Sequence, residues 1–290
     1  MIKKLAIFGV GLIGGSLAMA LRRQGQSGGC EKIVGCSRSE EHLQRAVELG
    51  VIDEFTLDPV EAVADADMVL LAVPLGAMQP LLEKIANHLS SDVVVTDAGS
   101  SKASVVAAAK AAFGSVPEFF VPGHPIAGRE KSGVEAALAD LYVDHKVILT
   151  PLENTLPAAV DRVTKMWEAT GAKVQTLGVE QHDKVLAATS HLPHVVAYAL
   201  VETVSETDCV DQIFEYAAGG FRDSSRVASS DPVMWRDVCL ENRDAILDSL
   251  AEFQTKLGDL KDLIESSDSD ELLKLFAHAK SVRDRHVIKN

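Results

Sequence analysis

His124 stands between Gly123 and Pro125 in the stretch VPGHPIAGREKSG, residues 121–133. A neutral imidazole can accept a proton near pH 7, and the flanking glycine and proline predict a loop where the ring meets solvent or ligand. A surface histidine in a turn is the plainer alternative. Gly9, Gly11 and Gly14 form G-x-G-x-x-G around Leu12 and Ile13. Between a strand and a helix, the first glycine permits a tight turn, the second admits a pyrophosphate to the backbone, and the third allows close packing. The second strand then ends in VGCSRSEE, with Ser37 where an acid for the ribose is expected and Arg38 next. With no carboxylate to repel it, a 2′-phosphate can pair with Arg38, which favours NADP over NAD. Glu40 and Glu41 remain able to take the acid's place. Val73 and Pro74, ending the run ADMVLLAVP, complete the expected cofactor contacts.

These residues need a scaffold, and the first half of the chain supplies one. KKLAIFGV, EKIVGCS, ADMVLLAVP and SDVVVTDAG read as strands, separated by the helical patterns GLIGGSLAMALRRQG and SEEHLQRAVELG, the latter with Ser39 as a cap. Alternating strands and helices imply a parallel sheet covered on both faces, a doubly wound Rossmann-type α/β domain. EFFVPGH, HKVILTP and AKVQTLG extend the strand signals to Leu177. From Val179 onward, apolar residues recur at three- and four-residue spacing, so the second half is helical. The expected division is residues 1–178 and 179–290.

Composition narrows the class. The chain has 290 residues and a formal net charge of −14, which argues against a general nucleic-acid or anionic-membrane binder. An anionic ligand must therefore be held by a few local cations. Cys30, Cys36, Cys209 and Cys239 form no C-x-x-C pair and suit reduced thiols in a cytoplasm. Lys3 and Lys4 before an apolar run resemble a signal peptide, but Gly9, Gly11, Gly14 and Gly15 make that run a poor membrane helix. His191 and His194 share a helical face, yet no carboxylate or cysteine completes a ligand set, and no metal is expected.

Together with the glycine turn, the segments VTDAGSSKASV, GHPIAGREKSG, SHLPHVVAYAL and GGFRDSSRVASSDPVMWRD resemble the prephenate dehydrogenase family, also called arogenate or cyclohexadienyl dehydrogenases. The resemblance runs in order through nearly the whole chain. It implies a Rossmann-type domain followed by an all-α dimerisation domain, and a cytoplasmic homodimeric enzyme of tyrosine biosynthesis acting on prephenate or arogenate with NADP or NAD. By similarity, His124 is the catalytic histidine that takes the hydroxyl proton, and Ser100 orients the same hydroxyl, although an ordinary helix cap is an alternative role for it. Arg226 matches the arginine that binds substrate carboxylate; as a buried partner its loss should cost about 2–5 kcal/mol. His194 lines the substrate pocket, while His191 could equally be a satisfied interior histidine. For His182 and Asp183 a structural hydrogen bond and a role near substrate stand level. Trp235 and Asp223 are expected around the pocket or at a subunit interface. Lys102 is expected to be solvated or to steer phosphate. Arg129, Glu130 and Lys131 form either a solvated charge run or an entrance network, and the family more often carries an uncharged residue at Arg129. No fused chorismate mutase or regulatory segment is expected.

Two other functions share the two-domain plan. A β-hydroxyacid dehydrogenase or imine reductase would use a lysine or other acid on the first helix of the second half, where Lys184 lies beside the histidines. A non-catalytic protein sensing NADP would bind cofactor without turnover.

Overall fold

The computed structural model describes residues 2–25, 29–129 and 131–286. Its first layer is built from β1 (Ile2–Phe8), α1 (Leu12–Arg23), β2 (Cys30–Cys36), α2 (Glu40–Glu48), β3 (Glu54–Thr56), α3 (Pro59–Val63), β4 (Met68–Leu71), α4 (Met78–Ile85), β5 (Val94–Asp97), α5 (Lys102–Phe113) and β6 (Phe120–Val121). The strands form a six-stranded sheet in the order β3-β2-β1-β4-β5-β6, parallel throughout. Residue alternation along β1 explains the two-sided burial. Leu5 and Ile7 enter one apolar core with Leu17, Ile33 and Trp167, while Ala6 and Phe8 enter another with Val69, Leu82 and Phe120. Each large apolar side chain buried this way contributes about 1.5–3 kcal/mol. The strand order reverses between β1 and β4, which opens a crevice at their carboxyl ends.

Beyond β6, the chain departs from a simple continuation. Pro122 separates β6 from β7 (Gly123–Ile126), which pairs antiparallel with β8 (Lys146–Leu149); β9 (Lys173–Thr176) follows α6 (Pro157–Glu168) and pairs parallel with β8. His124 is thus on a strand, in register with Ile148, and not on a loop. Pro125 is tolerated there because β7 lies at the edge of its three-stranded sheet, where one side of the strand needs no ladder donor.

The helical half begins with α7 (Val179–Leu186) and runs through a π-helical turn, Ala187–His191, into α8 (Leu192–Ser205). Pro193 has no N–H to offer the carbonyl four residues back, and the widened turn absorbs that loss. Next come α9 (Val210–Glu215), α10 (Gly219–Ser225), α11 (Pro232–Glu241), α12 (Arg243–Glu265) and α13 (Ser269–His286). By packing, the chain falls into two compact units, Met1–Arg243 and Asp244–Asn290. The second is a pair of helices with internal ion pairs such as Lys256–Asp259 and Lys280–Asp284, and it exposes Leu257, Ile264, Leu273 and Phe276. Among the described residues, no helix is long and apolar enough to cross a membrane.

Candidate active site

The glycine turn sits at the carboxyl end of β1. Gly9 has φ +89°, and a Cβ there would lie 2.2 Å from the Ala72 carbonyl oxygen at the end of β4. A Cβ on Gly14 would lie 2.2 Å from the Gly9 oxygen, so both positions exclude a side chain for reasons internal to the fold. Gly11 differs. Nothing lies within 4 Å of where its Cβ would be, and it caps α1 with no side-chain bond to the first-turn amides. The space and donors at that helix start fit a pyrophosphate. Ser37, half-buried, and Arg38, exposed, follow directly after β2, while Val73 and Pro74 follow β4 on the other side of the turn.

Two strands away, the end of β5 holds a buried ion pair. Asp97 and Lys102 are both fully buried, and the Lys102 ammonium donates to the Asp97 carboxylate. The pair grips one peptide residue from both sides: the Gly123 N–H donates to Asp97 Oδ1 at 3.0 Å, and Lys102 Nζ donates to the Gly123 carbonyl at 2.6 Å. Gly123 precedes His124, so the clamp fixes the backbone that carries the imidazole. Lys102 is therefore neither solvated nor free to steer phosphate; the carboxylate and carbonyl that receive its ammonium offset its desolvation. Burial still pulls its pKa below the ordinary lysine value, with Asp97 opposing.

His124 is 9% exposed and contacts α7 through its ring. Its Nδ1 lies 2.9 Å from His182 Nε2, and His182 Nδ1 lies 2.8 Å from Asp183 Oδ1. The carboxylate only accepts, which places the His182 proton on Nδ1 and leaves His182 Nε2 as an acceptor. The bridging proton then belongs to His124 Nδ1, and His124 Nε2 carries the free lone pair. Burial, followed by the neighbouring His182 and Lys102, lowers the His124 pKa well below 6.5. Burial also lowers His182, against the pull of Asp183. For Asp183, burial alone would raise the carboxyl, but the bonds from His182 and two backbone amides outweigh it and leave it below the ordinary value.

Those amides belong to Lys102 and Ala103, which donate to Asp183 at 2.7 and 2.8 Å. Asp183 thus caps α5 from another helix. Ser101 occupies the N-cap position with its hydroxyl turned toward Asp183 and the Glu241 carbonyl, so Ser100 is not the cap. Ser100 sits half-buried in the same turn.

A second cluster continues along the helix. The Asn242 amide nitrogen donates to the Asp183 carbonyl at 3.0 Å and lies 2.9 Å from His191 Nδ1. Burial drives the buried His191 down to about 4. His194 stacks on the buried Trp235 with ring centroids 3.5 Å apart, and burial lowers its pKa, with Arg226 adding to the effect. Arg226 opens a short 3-10 turn after α10, a surface segment without buried residues, and is exposed rather than buried. Asp223, Lys184, Arg129 and Lys131 are exposed, and Glu130 lies outside the described residues. Among the described residues, no group of three or more His, Cys, Asp or Glu is placed to hold a metal ion.

The structure brings His124, His182, Asp183, Asp97 and Lys102 into one buried network. Sequence reasoning missed the Asp97–Lys102 clamp and Asn242. The available signal for the clamp was an acid ending an apolar strand with a lysine five residues on, in the first turn of a helix.

With this geometry in view, the comparisons decide the family. The model described as Prephenate dehydrogenase, nucleotide-binding domain matches residues 17–176, and Prephenate dehydrogenase, dimerization domain matches residues 178–278. The chain belongs to the prephenate dehydrogenase family. Within it, the chain is 41% identical over 286 residues to a cyclohexadienyl dehydrogenase of Zymomonas mobilis, covering 97% of this chain and 95% of that protein. It is 36% identical to a prephenate dehydrogenase of Bacillus subtilis, covering 97% and 75%. Among solved structures of the family, prephenate dehydrogenase from A. aeolicus in complex with hydroxyphenyl propionate and NAD+ superimposes with a TM-score of 0.90 at 40% identity, covering 98% of both chains. Synechocystis arogenate dehydrogenase gives 0.81 at 32% identity, covering 98% of this chain and all of that one (100%).

Proposed function

We propose that this chain, an NAD(P)-dependent prephenate/arogenate dehydrogenase, carries out its oxidative decarboxylation at His124. Hydride leaves the hydroxyl-bearing ring carbon, carbon dioxide is lost and the ring becomes aromatic. The observation that carries this reading is the Asp183–His182–His124 chain, which leaves an uncharged imidazole with Nε2 open as a proton acceptor. As hydride departs and carbonyl character develops, Nε2 takes the hydroxyl proton. Ser100 orients that hydroxyl, Arg226 holds the substrate carboxylate and His194 lines the substrate pocket; a planar guanidinium fork suits the carboxylate on an acidic protein.

The backbone around Gly9, Gly11, Leu12, Ile13 and Gly14 would hold the pyrophosphate, with Val73 and Pro74 flanking the crevice. When bound, the nicotinamide supplies the hydride acceptor. Ser37 and Arg38 favour a 2′-phosphate, so NADP is the preferred cofactor. We read the protein as a cytoplasmic homodimer joined through its helical part, with the division near Gly178. That division is supported by the two family models, which meet between residues 176 and 178. A lysine-dependent β-hydroxyacid dehydrogenase chemistry finds no support, since Lys184 points into solvent-exposed surface.

Steady-state kinetics with prephenate and arogenate, each with NADP+ and NAD+, tests the assignment. Turnover with the higher kcat/KM on NADP+ is expected. Cofactor binding without turnover of either substrate would contradict it and leave a cofactor-sensing protein.

A further inference from the structure

The two imidazoles that meet at the site do not have equal surroundings. His124 faces the Lys102 ammonium, His182 and His191, and among the described residues no carboxylate is in contact with its ring. His182 faces the same lysine but has Asp183 Oδ1 at 2.8 Å, and Asp97 also acts on it. Lys102 is already paired with Asp97, whereas among the described residues the side chain that could bring a positive charge into hydrogen-bond contact with the Asp183 carboxylate is His182. A positive charge is therefore stabilised on His182, in a charge-assisted bond to a buried carboxylate, and opposed on His124. The bridge between the rings is short enough to carry a proton.

We propose that the proton taken from the substrate hydroxyl passes through His124 to His182, so that both imidazoles and Asp183 act as one acceptor. The inference rests on the reading of His124 as the group facing the substrate. The substrate O–H bond breaks as an N–H bond forms at His124 Nε2. The Nδ1–H bond of His124 breaks as a new N–H forms at His182 Nε2. His124 ends neutral, in its other tautomer, and His182 ends as an imidazolium against the Asp183 carboxylate. The electron pair of the substrate C–H bond leaves as hydride to the cofactor, so no further oxidant is required. His182 is a positioning residue before the transfer, because it fixes the His124 tautomer, and the resting place of the proton after it.

His182→Gln separates the two roles. The carboxamide oxygen can still accept from His124 Nδ1–H and keep the tautomer, but it cannot take a proton. In the full-length enzyme, kcat should fall by about 100-fold or more while KM for substrate stays within about threefold. A kcat within a few-fold of wild type would confine His182 to positioning and overturn the relay. Because a buried substitution can disturb folding, the wild-type enzyme labelled with 15N-histidine supplies a second measurement. As pH falls, the imidazolium signature should emerge at His182 before His124. Protonation of His124 first, or no imidazolium at His182 before the fold is lost, would overturn the proposal. Wild-type turnover in the same assays distinguishes this failure from failure of the functional reading: an enzyme that turns over prephenate or arogenate yet shows His124 protonating first loses only the relay.

Discussion

His124 Nδ1 and His182 Nε2 meet at 2.9 Å although 58 residues separate them in the chain, and Asp183 anchors the far side of the second ring. The contact joins a strand of the small sheet to the first helix of the helical half. It determines which nitrogen of His124 is left to act as a base, and it ties the pH dependence of the reaction to a coupled group of histidines.

That coupling has a sign. Burial and neighbouring positive groups lower the His124 pKa well below 6.5, and burial lowers His182 and His191 as well. The acceptor is thus uncharged at neutral pH and becomes protonated only in more acidic solution. The kcat/KM profile should stay level through pH 6.5 and fall on an acid limb below it. A limb centred at or above 6.5 would show that the site is more solvated than its burial implies.

The Asp97–Lys102 clamp should matter to stability and activity separately. Lys102→Met leaves a buried carboxylate without its partner and should cost about 3–5 kcal/mol, read as a loss of Tm. Combining it with Asp97→Asn should recover part of that stability. It should not recover kcat, because Gly123 would still lack the ammonium that holds its carbonyl. Equal recovery of both would show that the clamp does not position His124.

Two glycines of the nucleotide turn predict opposite phenotypes. Gly11→Ala meets no protein atom within 4 Å and should leave Tm unchanged while raising the cofactor KM. Gly14→Ala places its Cβ 2.2 Å from a backbone oxygen and should lower Tm outright. Thermal melts with and without cofactor check both; a wild-type cofactor KM in Gly11→Ala would place the pyrophosphate elsewhere.

Cofactor choice rests on the residues following β2. Ser37→Asp introduces a carboxylate that repels a 2′-phosphate and can accept from a ribose hydroxyl, so the ratio of kcat/KM for NADP+ over NAD+ should drop by about tenfold or more. An unchanged ratio would remove Ser37 and Arg38 from the adenosine pocket.

Local patterns carried much of the architecture. The apolar runs at β1, β2, β4 and β5, the glycine turn and the change to helical spacing after Val179 each follow from short-range chemistry. In the small second sheet, β8 and β9 are legible in HKVILTP and AKVQTLG, but β7 is not, because Gly123 and Pro125 look like loop residues until β8 shows that they lie on a protected edge. Lys102 was misread for a related reason: its spacing from Asp97 says nothing about burial, which depends on β7 and α5 closing over both side chains. Asn242 was invisible since its partners, His191 and the Asp183 carbonyl, lie 51 and 59 residues away.

The most direct test is the turnover of His124→Asn, saturated with NADP+ and with prephenate or arogenate in turn. Asparagine fills a similar space but takes no proton, and the account predicts a kcat lower by about 10²–10⁴-fold with substrate KM little changed. A kcat close to wild type would contradict it, whatever the neighbouring histidines do.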